Sequence, residues 1–210
     1  MSDPHENDVH FYEPTAGHRL PHDPFKALVA PRPIGWISTV SPDGVPNLAP
    51  YSYFNAVCDK PPMIVFSSQG RKHSLLNAEA TGEFVWSMAT RALAAAMNAT
   101  SATVPAEVDE FGLAGLAPAP SRLVEPPRVA ASPAALECRV VQIVELKGVD
   151  GRSADHWLTI GEVVGVHIDR AYLRDGLFDT GAAHPIMRGG YRDQYFEAVP
   201  ETLFRMTRPK

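Results

Sequence analysis

Prolines occur throughout this chain and limit the length of its helices. The 210 residues include 20 prolines, roughly twice the usual share of about 5%. A proline inside a helix removes a backbone hydrogen bond and clashes with the preceding turn. Many short elements that end in turns accommodate this composition, whereas long helices do not. We therefore expect a chain built mainly of β-strands with a few small helices.

Strand-like runs recur without the regular strand–helix alternation of a parallel sheet. Helical patterns are short, as at residues 73–82 and 91–100. The run from 134 to 146 changes the phase of its apolar alternation near Val141, which predicts a β-bulge. These features favour a mainly antiparallel sheet or barrel with helices packed outside it. The strand-like runs cover residues 34–40, 47–57, 63–68, 83–90, 134–146 and 156–169.

The length and composition are those of one globular domain. An apolar share of 45% and a charged share of 20% argue against global disorder. We interpret residues 1–22, which are rich in histidine, proline and acidic residues, as an extended arm. Residues 23–210 then form a single domain, although the prolines at 116–133 mark a candidate boundary. The segment 184–196 is expected to be a loop.

Charge and hydropathy argue against nucleic-acid binding, membrane insertion and secretion. A net charge of −5 argues against a nucleic-acid-binding face. No apolar run approaches the roughly 20 residues that cross a bilayer, and the polar start does not resemble a secretory signal. We expect a cytoplasmic protein without a membrane partner. Cys58 and Cys138 have no metal-binding spacing, and we expect both to be reduced and mostly buried.

The segment FSSQGRKHS, residues 66–74, has the composition of an anion site. Two serines end a strand, two cations follow in a loop, and a helix then begins. The unpaired N–H groups and the dipole at a helix N-terminus attract anions, and phosphate is the natural occupant. An ordinary helix start with solvated charges has the same spacing, and the P-loop consensus is absent. The candidate phosphate ligands are Ser67, Ser68, Arg71, Lys72 and Ser74.

Polar and aromatic side chains also occupy a predicted hairpin. One strand of the hairpin carries a tryptophan and two hydroxyls, and the far side of its partner carries a hydroxyl, two rings and an amide. A flat heteroaromatic ligand needs rings to cover its faces and polar groups at its edge. From these residues alone, a partly wet sheet face with the tryptophan in the core is the more common arrangement. The residues are Trp36, Ser38, Thr39, Ser52, Tyr53, Phe54 and Asn55.

His156 is the candidate for proton exchange or substrate orientation. It lies at the mouth of a strand after a turn, and histidine can change its charge near neutral pH. A surface turn histidine explains the same position. We interpret the segment 97–101 as a plain helix end. Asp109 and Glu110 are adjacent on a short helix and point apart, so they do not suggest an acid/base pair.

The ordered series of motifs resembles the flavin reductase-like family of FMN-binding split barrels. Each motif is weak alone, and their order and spacing match from about residue 11 to residue 195. The segments are PRPIGWIST, NLAPYSYFN, PPMIVFSS, RKHSLLNAEATGEFV, MNATS, VDEFGLAGL, PPRVAASPAALEC and IGEVVGVHI. The resemblance implies a six-stranded antiparallel split barrel that forms a homodimer and holds flavin near the subunit interface. FMN is the expected cofactor, with FAD as the alternative flavin.

The resemblance also implies roles for individual residues. The seven hairpin residues would line the flavin, and the five candidate phosphate ligands would hold its phosphate. His156 in ADHWL matches a histidine that reductase members place near the nicotinamide. One departure is His73, where the family often has aspartate. Because an acid there would repel a phosphate, this change is compatible with FMN binding.

The implied function is an NAD(P)H-dependent flavin reductase that transfers hydride from nicotinamide to flavin N5. Such a protein can serve as the reductase component of a two-component monooxygenase, with a flavin-dependent oxygenase as its partner. Hydride transfer is chemistry of the cofactors themselves, so no acid/base dyad is required. An FMN-bound electron carrier and a non-catalytic flavin-binding protein remain alternatives.

Overall fold

The computed structural model describes residues 9–209. Short helices alternate with antiparallel strands along this part of the chain. The helices are α1 Phe25–Leu28, α2 His73–Thr81, α3 Ala94–Ala99 and α4 Glu110–Leu113, with 3-10 turns at Pro14–Ala16, Arg170–Tyr172 and Pro200–Thr202. The strands are β1 Arg32–Pro33, β2 Gly35–Val40, β3 Pro46–Tyr51, β4 Phe54–Asp59, β5 Pro62–Gln69, β6 Glu83–Ser87, β7 Pro118–Ala119, β8 Arg128–Val129, β9 Ala134–Lys147, β10 Ser153–Ile168, β11 Leu173–Arg174, β12 Leu177–Phe178, β13 Ile186–Arg188 and β14 Tyr195–Glu197.

The main sheet is antiparallel and closes on itself. Its strand order is β3-β2-β6-β9-β10-β5-β4. The two edge strands are consecutive in the chain, and only Ser52 and Tyr53 separate them. A chain extends about 3.5 Å per residue at most, so the sheet must curl until its edges nearly meet. The rings of Tyr51, on the edge strand β3, and of Phe66, on β5 beside the opposite edge strand β4, have centroids 4.9 Å apart.

The predicted strand at 47–57 is two strands in the structure, β3 and β4, which form the two edges of the sheet. The sheet contains seven strands where six were expected, because this run breaks at residues 52–53 into β3 and β4. The predicted bulge is confirmed. Between β9 and β10 the register shifts from Ile160 opposite Gln142 to Gly161 opposite Val140, which leaves Val141 as the extra residue.

The prediction of a loop at 184–196 was wrong. Residues 186–188 and 195–197 form a hairpin, and its first strand pairs with β1. Ile186 is buried in the same cluster as Trp36 and Met97. Strands of three residues are too short to show an alternating pattern, so their position depends on this tertiary contact.

Two large apolar clusters and a smaller one around Val85 are buried among residues 9–209. One large cluster contains Phe111 and Val129, and the other places the Phe66 and Phe84 rings edge to face at 5.3 Å. A Cβ on Gly161 would overlap the Phe84 ring, so β10 needs glycine where it crosses that ring. The core therefore fixes the strand register that positions the loops.

The predictions for the N-terminal arm and for the two cysteines agree with the structure only in part. Residues 1–8 of the predicted arm lie outside the described range, and in residues 9–22 the Phe11 side chain is 74% exposed. The division into an arm and one domain stays a prediction. Cys138 is buried as expected, but Cys58 is exposed on the edge strand β4. Across residues 9–209, no helix has the length and apolar character needed to span a membrane.

Candidate flavin site

Two neighbouring cavities contain most of the residues singled out in the sequence. The first, which we call the basic cavity, has a volume of about 370 Å³ and lies between β3, the start of α2 and the loop at 100–104. The second, which we call the apolar cavity, has a volume of about 610 Å³ and lies between α1, β4 and the start of β10. Tyr51 lines the first and the next residue, Ser52, lines the second, so the bend in the edge strand connects them.

The start of α2 gives the basic cavity its anion-binding character. Lys72 is the N-cap residue, and its side chain makes no capping hydrogen bond. The first N–H groups of the helix therefore lack a side-chain cap. Lys72 and Arg71 are exposed and line this cavity together with Ser74. Arg71 also pairs with Glu79 and lies 5.9 Å from the centroid of the Trp157 ring.

Buried polar groups of β3 support the helix start. Asn47 Nδ2 donates a hydrogen bond to Ser74 Oγ at 2.9 Å, so the Ser74 hydroxyl can donate its own hydrogen to an anion. Tyr51 lies at the end of the same strand, and burial raises the pKa of its phenol. The phenol stays neutral in the physiological range. This face of β3 therefore offers hydrogen-bond donors without adding negative charge.

Glu110 places a buried carboxyl at the wall of the basic cavity. Its Oε2 accepts a hydrogen bond from the backbone N–H of Leu48 at 2.9 Å, which satisfies a donor on an edge strand. Burial raises the pKa of Glu110 against the lowering effect of this hydrogen bond. Its neighbour Asp109 points elsewhere and caps α4 by accepting from the Phe111 N–H at 2.9 Å. The two carboxyls do not act as a pair, as the sequence indicated.

The loop at 100–104 was missed as part of the site. The sequence indicated only a helix end there, yet residues 100–104 line the basic cavity. Thr100 is buried, donates to Met97 O at 2.8 Å and accepts from Trp36 Nε1 at 3.0 Å. Cavity residues Asn47, Ala49 and Pro50 were missed as well. The sequence signal for this part of the site was the group of small polar residues at 98–101, and such residues are equally common at the end of a helix.

Four predicted flavin contacts are instead internal. The side chains of Trp36, Ser38, Thr39 and Ser68 are fully buried, with 0% exposure. Since a side chain without accessible surface cannot touch a ligand, these side chains do not line either cavity. Their polarity is satisfied within the fold. Trp36 donates to Thr100, Ser38 to Pro127 O, and Ser68 to Gly70 O, while Thr39 accepts from Asn77.

The apolar cavity brings together the remaining predicted residues. Ser67 lies on β5 and Tyr53 lies in the bend between β3 and β4, and the Ser67 N–H donates to Tyr53 O at 2.9 Å. Residues of α1 and of β9 complete the wall. The predicted residues that line this cavity are Ser52, Tyr53, Phe54, Asn55, Ser67 and His156.

His156 lies at the mouth of the apolar cavity. Its Nδ1 is 2.9 Å from Ala154 O, an acceptor that requires a hydrogen on Nδ1. The Tyr53 ring lies edge-on to the imidazole, with centroids 6.5 Å apart. The Gly70 N–H donates to Asp155 O at 2.9 Å. This bond ties the loop of the basic cavity to the strand that carries His156.

The residues present fit FMN. Two cations, a serine and an uncapped helix start suit a phosphate at one end, and the adjoining apolar cavity suits a flat ring. A match to the flavin reductase-like domain covers residues 28–187, which is more than half of the chain. The chain belongs to this family. Its mainly β architecture is the split barrel of the family.

Individual relatives agree with this assignment. An uncharacterized protein of Deinococcus radiodurans is 38% identical over 181 residues, which cover 80% of this chain and 77% of that protein. The crystal structure of nitrilotriacetate monooxygenase component B from Bacillus cereus matches with a TM-score of 0.82 and 30% identity, covering 96% of this chain and 98% of that one. Flavoredoxin of Desulfovibrio vulgaris matches with a TM-score of 0.74 and 26% identity, covering 83% and 90%.

Proposed function

We propose that this protein binds FMN and acts as an NAD(P)H-dependent flavin reductase. The observation that carries the proposal is the junction of a phosphate-type cavity and a ring-type cavity at the bend of one edge strand. Bound FMN would supply the ring that accepts hydride at N5. The cofactors carry out the hydride transfer, and the protein binds them, orients them and excludes water.

Each cavity has a separate task in this proposal. Arg71, Lys72 and Ser74 bind the phosphate, and Tyr51 keeps that end free of additional negative charge because its phenol stays neutral. The apolar cavity receives the flavin ring and admits the nicotinamide beside it, and His156 orients the nicotinamide. Reacting atoms must come within about 3–3.5 Å for transfer. The rigid bend at residues 51–53 holds the two cavities at a fixed separation for this purpose.

A second copy of the chain completes the site in this proposal. Phe25, Leu28 and Val29 line the apolar cavity and are 52%, 74% and 53% exposed. Exposed apolar side chains that surround an open cavity are typical of an interface. A homodimer would cover them and bring the flavin close to the subunit boundary.

The names of two relatives support different uses of the reduced flavin. The Bacillus cereus relative is a monooxygenase component, which supports delivery of reduced flavin to an oxygenase. The Desulfovibrio vulgaris relative is a flavoredoxin, which supports the alternative of an electron carrier with resident FMN. A flavin-binding protein without catalysis is the third candidate. These three differ in their reaction with nicotinamides.

Anaerobic stopped-flow mixing separates the candidates. The FMN-loaded protein is mixed with NADH and, separately, with NADPH, while flavin absorbance near 450 nm is followed. A reductase bleaches with one or both donors at a saturable rate. An electron carrier retains FMN through gel filtration but bleaches slowly with either donor. Absence of FMN binding in titrations would overturn the whole proposal.

A further inference from the structure

Arg32 places a buried cation in the wall of the apolar cavity. The residue is only 7% exposed and lines that cavity. Its Nη1 donates to Lys26 O at 2.5 Å and to Val29 O at 2.9 Å, and its Nη2 donates to Gly189 O at 3.1 Å. The Nε atom is buried and has no hydrogen-bond partner. The guanidinium is thus held in place by the backbone and retains an unmet donor.

No carboxylate within residues 9–209 lies within 4.0 Å of this guanidinium. The cavity wall also contains no aspartate or glutamate. The centroid of the Tyr53 ring lies 5.7 Å from Arg32 Cζ and adds a weak cation–π contact. A buried charge normally has a counter-charge, because desolvation is costly. Carbonyl dipoles and one ring compensate it only in part, so the field in the cavity is positive.

The remainder of the wall fits a planar body. Phe54 and Leu158 are apolar, and Ser52 and Ser67 can donate hydrogen bonds at the edge of a ring. A volume of about 610 Å³ is that of a small-molecule site. An occupant that matches both the field and the wall is a flat ring attached to an anionic group.

We propose that Arg32 makes the apolar cavity selective for a planar ring that carries an anion. The inference rests on the proposed function and specifies the substrate class of that site. Two sources have this chemistry. One is the phosphate beside the nicotinamide ribose of the hydride donor, and the other is the carboxylate of an aromatic electron acceptor. Arg32 acts through its field and positions the ligand; it takes no part in hydride transfer.

The test uses flavin-free full-length protein and calorimetric titration, so it needs neither FMN nor turnover. Benzoate is compared with benzamide, and reduced nicotinamide mononucleotide with the corresponding riboside, which lacks the phosphate. We expect the anionic member of at least one pair to bind at least 10-fold more tightly than its neutral counterpart. Preference in the first pair identifies an acceptor acid, and preference in the second identifies the donor. Equal affinities within both pairs overturn the inference, whatever the outcome of flavin binding.

Two variants assign the preference to the charge. Arg32→Gln removes the cation and should bring the two affinities of the preferred pair within about 2-fold. Arg32→Lys keeps the cation and should retain most of the preference for the anion, although it loses some of the hydrogen bonds to the three backbone carbonyl groups. Thermal unfolding of both variants reports whether the fold survives. If Arg32→Gln folds and keeps the full preference, another group provides the selectivity and the inference fails. If Arg32→Gln does not fold, the test rests on the wild-type affinities and on Arg32→Lys. Loss of the anion preference in a folded Arg32→Lys variant would contradict a charge effect.

Discussion

The Trp36 indole donates a hydrogen bond to Thr100 Oγ1 at 3.0 Å and thereby joins strand β2 to the rim of the basic cavity. Trp36 is fully buried on β2, and Thr100 begins the loop that lines the cavity. The tryptophan that the sequence suggested as a flavin contact is therefore one residue removed from the basic cavity, where it holds the loop that lines the cavity.

Trp36→Phe should loosen this loop with a modest loss of stability. The variant removes the indole donor, and a buried hydrogen bond contributes about 0.5–1.5 kcal/mol. The smaller ring adds a packing loss. We expect a lower melting temperature and weaker FMN binding, measured by thermal unfolding and fluorescence titration. Thr100→Val removes the acceptor and should weaken FMN to a similar degree. Unchanged FMN affinity in both variants would show that the loop needs no anchor.

Lys72→Ala should weaken FMN much more than riboflavin, because riboflavin has no phosphate. A partly exposed charge pair with phosphate is expected to contribute about 1–2 kcal/mol, or roughly 5- to 30-fold in affinity. Titration of both flavins into the same preparation measures the difference. Lys60→Ala is the matched control, since Lys60 is exposed and lines neither cavity. Equal losses for the two flavins would contradict the assignment of the basic cavity.

His156→Ala should raise the KM for the nicotinamide donor while leaving FMN affinity nearly unchanged. The imidazole lines the apolar cavity and not the basic cavity, so its loss removes an orienting contact for the donor and leaves the contacts to the FMN phosphate in place. Steady-state kinetics with a parallel FMN titration separate the two effects. His22→Ala, at an exposed histidine outside both cavities, serves as the control. A large loss of FMN affinity would place His156 in the flavin site instead.

Gly161→Ala should destabilise the barrel. A methyl group at this position overlaps the Phe84 ring and approaches Cys138 Cβ at 3.1 Å. Overpacking of this kind costs about 1–3 kcal/mol, which urea unfolding can measure. The double variant Gly161→Ala with Phe84→Leu should be less destabilised than the sum of the two single variants, because the smaller side chain makes room for the methyl. Additive losses would show that the ring is not the obstacle.

Stability should fall in acid through Glu137. Its side chain is fully buried and accepts hydrogen bonds from His167 and from the backbone N–H groups of Arg122 and Leu123. Burial alone would raise the pKa of Glu137, but these hydrogen bonds outweigh it, and the pKa lies below its ordinary value. A lowered pKa in the folded state means that the carboxylate stabilises the fold above the ordinary value of about 4.3. That contribution is lost as the pH falls through the lowered pKa.

The control for this prediction is Glu137→Gln, which keeps the shape of the side chain and removes its titration. Urea unfolding from pH 6 to pH 3 should show the wild type more stable at the upper end by about 1.5–3 kcal/mol, the range for hydrogen bonds to a charged group. The difference should shrink towards pH 3. A difference that stays constant across this range would exclude Glu137 as the titrating group.

Local patterns in the sequence predicted the strands of the main sheet, the bulge at Val141 and the start of α2 after two cations. Each depends on neighbours within a few residues: alternation along a strand, a change of phase, or cations before a helix. The ordered series of motifs also determined the family. These features could be predicted because their physical causes lie in the segments themselves.

Only the tertiary structure decided which polar residues face a cavity. Alternation predicts strands through Ser38 and Ser52, but it does not show that Ser38 reaches the carbonyl of Pro127, 89 residues away, while Ser52 lies at a bend and lines a cavity. Arg32 is another case, since it gains its place from the carbonyl of Gly189, 157 residues away. Burial of a polar group depends on partners that the closed barrel brings together. The residues adjacent in sequence do not identify those distant hydrogen-bond partners.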